Sequence, residues 1–332
     1  MDDARGRGKW MRHRLQAGLL AVVLLATGCA ADEPTSSAEP TDDAPAATST
    51  AATTTSAAPT TTTPPPPPPP ELPGGGRDIF PAYRLVGFSL APGSPALGGL
   101  TGDLDVAAAR LEEQAIPYGV DRPVLPVFEL IATVVHPVPG ADGNYSTRAT
   151  DENIGNHLDA ARRHGALLLL NIQPGTADFL PEVQAYEKWL REPEVGVALD
   201  PEWAISPGQI PGEVYGRTTG QELDGVAAYL ATLVEEGDLP EKVMVYHQVA
   251  PQVVEDEAAL REHPGVAAIK SVDGIGSQGA KEATWYRLME TKPAHVTPGF
   301  KLFYEEDLRG GPLMTPEQVL ALMPLPEYVL YE

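Results

Sequence analysis

The sequence predicts an α/β fold, a (β/α)8 TIM-type barrel, from three observations. The stretch from residue 77 to residue 332 is close to the ~250 residues typical of that barrel. Short apolar runs alternate strictly with helical patterns along it, which argues for a parallel sheet with helical crossovers. In Val195-Gly196-Val197-Ala198-Leu199-Asp200-Pro201-Glu202, one parity is Val195, Val197 and Leu199. The other is Gly196, Ala198, Asp200 and Glu202. Large residues facing helices and small ones facing a crowded interior are what a closed barrel needs.

Taken in order, the strands are expected at 85–90, 127–135, 167–172, 195–199, 243–249, 266–272, 300–304 and 328–331. The helices are expected between them at 106–114, 153–164, 179–190, 223–235, 257–262, 280–291 and 316–322. The last begins Thr315-Pro316-Glu317-Gln318, an N-cap, a proline at the first helical position and a capping-box glutamine. The sequence ends at Glu332, so the pattern is a barrel without its eighth helix. No shared repeat of 20–50 residues runs through it.

The N-terminal quarter is different. Residues 1–28 carry Arg5, Arg7, Lys9, Arg12 and Arg14, then a short apolar run, then Ala26-Thr27-Gly28 before Cys29. That run is too short to span a membrane, which takes about 20 apolar residues, and the pattern is that of a secretory signal peptide. The motif resembles the lipobox of bacterial lipoproteins, with Ala26 where that family usually has leucine. The resemblance implies that Cys29, the one cysteine in the chain, becomes the first residue and is diacylated on sulfur. Two acyl chains make a stable anchor on the outer face of the cell membrane.

Residues 29–76 read as a disordered Ala/Thr/Pro-rich tether, similar in composition to those of actinobacterial lipoproteins. Pro64 to Pro70 form a stiff rod of roughly 22 Å at about 3.1 Å per residue, and Gly74 to Gly76 are expected to act as a swivel. Residues 77–332 are then the barrel domain. The chain's net charge is −23 and the domain holds most of it, which excludes nucleic acid as a partner. With one cysteine there is neither a disulfide framework nor a thiolate metal cluster.

Barrel active sites form at the C-terminal ends of the strands, so polar residues there with inward parity are the candidates. They are Glu129; Asn171 and Gln173; Asp200 and Glu202 with Trp203 beside them; Tyr246, His247 and Gln248; Asp273; and Lys301, Glu305 and Asp307. Glu129 and Lys301 also fit a buried ion pair lining the barrel, since a lone charge there costs several kcal/mol. Trp203 is read as a stacking face for a sugar ring. Asp200 and Glu202 are the hardest to explain structurally, because neighbouring inward acids repel.

Asp-x-Glu at the end of strand four resembles the catalytic element of barrel glycoside hydrolases, the chitinase-like and lysozyme-like muramidase families among them. The resemblance implies that Glu202 is the general acid and Asp200 its partner. It departs from the chitinase-like pattern at Gly196 and Ala198, where aspartates are usual. A second likeness, to the clan with its acid on strand four and nucleophile on strand seven, adds Glu305, although Pro201 stands where that clan has asparagine. Crowded carboxyls split their pKa values and supply the protonated and ionised groups that glycoside cleavage needs.

The expected partner is therefore a polysaccharide or cell-wall glycan, with no cofactor and no metal. His136, His247, Asp200 and Glu129 carry ligand chemistry for a divalent-metal hydrolase, but without His-x-His or His-Glu-x-x-His spacing. No Gly-x-Ser-x-Gly elbow supports a serine hydrolase. The alternative is a tethered, non-catalytic module that binds a glycan or protein through Trp203, Tyr246 and the amides and does not need Glu202.

Overall fold

The computed structural model describes residues 68–90 and 102–332. The signal peptide, Cys29 and most of the tether lie outside them. Eight parallel strands close on themselves: β1 (Arg84–Leu90), β2 (Val124–Val135), β3 (Leu167–Ile172), β4 (Val195–Leu199), β5 (Lys242–Gln248), β6 (Val266–Val272), β7 (Thr297–Leu302) and β8 (Tyr328–Tyr331). Pairing of β1 with both β2 and β8 completes the barrel.

The helices are α1 (Leu104–Ala115), α2 (Asp151–Arg163), α3 (Phe179–Gln184), α4 (Glu187–Leu190), α5 (Gly220–Gly237), α6 (Gln278–Met289) and α7 (Pro316–Leu320). Side-chain caps start them where sequence chemistry allows. Asp103 caps α1, Thr150 caps α2 and Thr219 caps α5, and the Thr315–Gln318 capping box of α7 forms as expected.

Two of the expected helices change. The one expected over 179–190 is broken into α3 and α4 at Tyr186, whose hydroxyl turns inward to Ala132 O and Thr133 Oγ1, both at 2.8 Å. Between β5 and β6 there are only two short turns of 3-10 helix, Pro251–Val253 and, where the helix was expected, Glu257–Ala259. The start of the second is set by Asp256 in the left-handed region (φ 47°), and Pro264-Gly265 follow soon after. Polar groups fill the space under it. Glu257 accepts hydrogen bonds from Tyr246 OH (2.5 Å), Lys270 Nζ (2.8 Å) and Thr291 Oγ1 (2.7 Å).

The interior divides along the strand axis. Towards the N-terminal ends it is apolar: Leu85, Leu125, Val127, Leu167, Leu169, Ala198, Val243, Val245, Ile269 and Leu330 form one buried cluster. Val195, Val197 and Leu199 belong to the outer cluster shared with the helices, so the parity read from the sequence is the parity of the fold. The preceding segment seals the lower end. Leu72 and Ile79 are buried in the inner cluster, and Ile79 N donates to Glu241 Oε2 at 2.6 Å.

The folded part thus begins before residue 77. The glycines expected as a swivel lie in a turn, in which Leu72 N donates to Gly76 O and Tyr83 OH to Gly75 O, both at 2.8 Å.

Gly196 marks how tightly the interior is filled. A Cβ there would sit 2.6 Å from Val243 O, a backbone atom, and 2.8 Å from Leu169 Cδ2. Gly196→Ala is therefore expected to cost about 1–3 kcal/mol, measured as a lower urea midpoint with an unchanged slope. No loss of stability would mean that the inner face of β4 is not packed as described.

Candidate functional site

Above the apolar layer, the same inward positions turn polar. From β2 comes Glu129, from β3 Asn171 and the following Gln173, and from β4 the following Asp200 and Glu202. From β5 comes His247, from β6 Ser271 and the following Asp273, and from β7 Lys301. All are buried. They are brought together because each sits one or two alternations beyond the apolar residues of its own strand. The last strand adds two residues that the sequence reading passed over, Tyr328 and Glu332. Their signal was there: Tyr328, Leu330 and Glu332 share a parity.

Most of these groups form one connected network. His247 donates from Nδ1 to Asp273, whose two carboxylate oxygens are both at 3.1 Å. Its Nε2 is 3.1 Å from Glu129 Oε1 but without the alignment of a hydrogen bond. Glu129 accepts hydrogen bonds from Asn171 Nδ2 at 2.9 Å and Tyr328 OH at 2.6 Å. Lys301 Nζ pairs with Glu332 Oε2 at 2.7 Å and Asp273 Oδ2 at 3.4 Å. Glu129 and Lys301 are thus both in buried ion pairs, each with a different partner from the one expected.

Protonation follows from these contacts. Burial opposes the charge on His247, but Asp273 and Glu129 outweigh it and hold the imidazolium well above the ordinary histidine range. Burial likewise opposes the charge on Lys301, and Asp273 and Glu332 overcome it and raise its pKa. A lysine held charged in this way is not a free amine nucleophile. Glu129 is lowered despite its burial, chiefly by His247 and Lys301. Asp200 goes the other way. Burial raises its carboxyl, and the attraction of His247 and Lys301 does not cancel that.

Asp200 and Glu202 stand at the end of β4 as expected, with Glu202 in the single 3-10 turn Pro201–Trp203. Gln173 Nε2 donates to Asp200 Oδ2 at 3.1 Å, and Asp200 Oδ1 has no hydrogen-bond partner in the protein.

No protein-family model matches the chain, and no curated protein matches it significantly.

Several candidates lie elsewhere than expected. Trp203 is only 5 % exposed and packs on Val135, flanked by Tyr145 and Tyr215, so it is a wall and not an open stacking face. Tyr246 and Gln248 have outward parity. Tyr246 is bonded to Glu257, and Gln248 Nε2 donates weakly to Ala250 O and Pro251 O.

β7 ends at Leu302, so its alternation does not carry on to residues 305 and 307. Glu305 is on an exposed turn, 3.8 Å from Arg309. Asp307 braces the loop, accepting from Gly276 N and Phe303 N and pairing with Lys281 at 2.8 Å. Among the described residues no three His, Cys, Asp or Glu side chains are arranged to hold a metal ion.

One wall of the mouth was not foreseen. β2 runs past the barrel rim and pairs antiparallel with Ser146–Arg148. The connecting loop is stitched to the β3 loop by Asn144, whose Oδ1 accepts from Thr176 N and Oγ1, both at 2.8 Å.

Removing the central cation tests the network. His247→Gln leaves Glu129 and Asp273 buried beside one cation fewer, and a broken buried pair costs about 3–5 kcal/mol. The histidine's folded pKa is raised, so its contribution is complete below the unfolded value of about 6.5 and fades as pH rises towards the folded value. The stability gap between wild type and variant, from denaturant curves, should therefore narrow as pH is raised above about 6.5. A pH-independent gap would contradict the imidazolium.

Proposed function

We propose that the protein is a lipid-anchored, extracytoplasmic glycoside hydrolase that acts on a cell-wall or environmental polysaccharide through the Asp200–Glu202 pair. One observation carries this reading. At the C-terminal end of a barrel strand a buried carboxyl is biased towards its neutral form, one oxygen tied to Gln173 and the other bonded to no protein atom. A second carboxyl stands two residues away. Glycoside cleavage needs a proton donor and a second carboxyl near it, in a place where burial tunes the donor.

In this reading Asp200 is the general acid, in place of Glu202. Its proton passes to the glycosidic oxygen as the C–O bond breaks, and the bonding pair stays on that oxygen. Water supplies the hydroxyl that joins the sugar carbon, and the remaining proton of that water restores the acid. Glu202 is the second carboxyl, serving the sugar side of the bond. The ion network behind them keeps the floor of the site rigid and charge-compensated. No helix among the described residues is long and apolar enough to cross a membrane; anchoring rests on the lipobox-like segment before Cys29.

Two experiments test the reading. The full chain should release reducing ends from at least one member of a panel of bacterial envelope polysaccharides and peptidoglycan. Asp200→Asn and Glu202→Gln should each lower kcat by about 10²–10⁴-fold while retaining binding. Absence of release across the panel, or full activity in both variants, would refute it. Separately, labelled palmitate should be incorporated into the wild type, and Cys29→Ser should abolish the label and move the protein from the membrane to the soluble fraction. An unlabelled, soluble wild type would refute the anchor.

A further inference from the structure

Gln173 sits where β3 ends, and its two amide atoms face two different elements. Val135 N–H, on β2, donates to its Oε1 at 3.1 Å, and its Nε2 donates to Asp200 Oδ2 at 3.1 Å. The first contact settles the orientation of the amide. Turned over, Nε2 would face the Val135 N–H donor to donor, and Oε1 would face a carboxyl oxygen. With the amide locked, Oδ2 of Asp200 has a donor aimed at it, which favours the carbonyl role for this oxygen. A proton on this carboxyl therefore belongs on the other oxygen, Oδ1, which is buried and has no protein partner.

We propose that Gln173 is a positioning residue that holds Asp200 Oδ2 as an acceptor and thereby fixes the carboxyl proton on Oδ1, the oxygen left for the substrate. The catalytic meaning of this rests on the hydrolase reading above; the placement of the proton does not. A carboxyl with both oxygens equivalent would present its proton in two directions. Here it is presented in one, and proton transfer depends on a donor aligned with its acceptor. Burial favours the neutral carboxyl, and the charged groups around it pull in both directions. His247 on β5 and Lys301 on β7 face Asp200 as cations; Glu129 on β2 and the Asp273 carboxyl after β6 face it as acids. Tyr328 on β8 lies in the same field, and Glu202 follows two residues on. Both cations are already engaged by Glu129, Asp273 and Glu332, so Asp200 takes its one identified hydrogen bond from a neutral amide.

Infrared spectroscopy of the full chain reads this directly, without turnover. The wild type should show, at neutral pH, the carbonyl stretch of a protonated carboxyl, assigned by its loss in Asp200→Asn. Because that carbonyl is Oδ2 and accepts from Gln173, the band should move to higher frequency in Gln173→Met. If that variant does not fold, Gln173→Asn, too short to reach both partners, is measured in the same way. A band that is absent from wild type, or that stays in place when the amide is withdrawn, overturns the proposal.

Where a substrate has been found, Gln173→Met should lower kcat by about 10²-fold with KM little changed. The basic limb of its pH profile should rise, because an amide donor favours the ionised carboxyl and its removal raises the pKa. An unshifted limb would make Gln173 merely structural. A band that behaves as expected in a protein that cleaves no glycan would overturn the hydrolase reading and leave the proton placement standing.

Discussion

Charge taken out of water has to be balanced where it is buried, and in this barrel that constraint organises everything above the apolar layer. His247 stands between Glu129 and Asp273, and Lys301 between Asp273 and Glu332. The chain of pairs reaches from β2 across to β8, so five strands meet in it. Two cations already answer three carboxyl groups. Asp200 is equally buried, and burial pushes it towards its neutral form; His247 and Lys301 do not cancel that, and the neighbouring Asp273 and Glu129 add to it.

The placement of this network depends on how the inner face changes along each strand. β2 presents Leu125 and Val127 before Glu129, β3 Leu167 and Leu169 before Asn171, and β5 Val243 and Val245 before His247. The lower half is an apolar plug, closed by Leu72 and Ile79 from the segment that leads into β1. Polar groups are thereby confined to the end where the loops gather. Outside the barrel a comparable solution appears where a helix is missing between β5 and β6: Glu257, Lys270, Tyr246 and Thr291 satisfy one another under a single turn. Lys270 is fully buried there, and its charge is tolerated because its partner is fixed by two further hydroxyls.

The mouth is shaped by elements that are not part of the repeating pattern. The extension of β2 and its hairpin bring Val135 and Tyr145 up to Trp203. Val135 does double work, because its side chain packs on that wall while its backbone N–H sets the amide of Gln173. A packing position and a chemical position are thus coupled through one residue, and the orientation of Asp200 follows from the fold of a loop that is not its own.

By itself, the sequence determined the barrel, the inward parity of β4 from Gly196 to Glu202, and most of the buried polar residues, because alternation at period two survives wherever a strand persists. It also carried the capping box of α7, which is local chemistry. Tyr328 and Glu332 were legible by the same rule. Tertiary structure alone decided the rest. Alternation stops where a strand stops, so Glu305 and Asp307 leave the site once β7 ends at Leu302. A tyrosine's partner is not written beside it, so Tyr246 turned outward to Glu257 and Trp203 was sealed behind Tyr145 and Tyr215. The raised pKa of Asp200, and the bonding of its Oδ2 to Gln173, depend on groups from six strands; no one segment contains them.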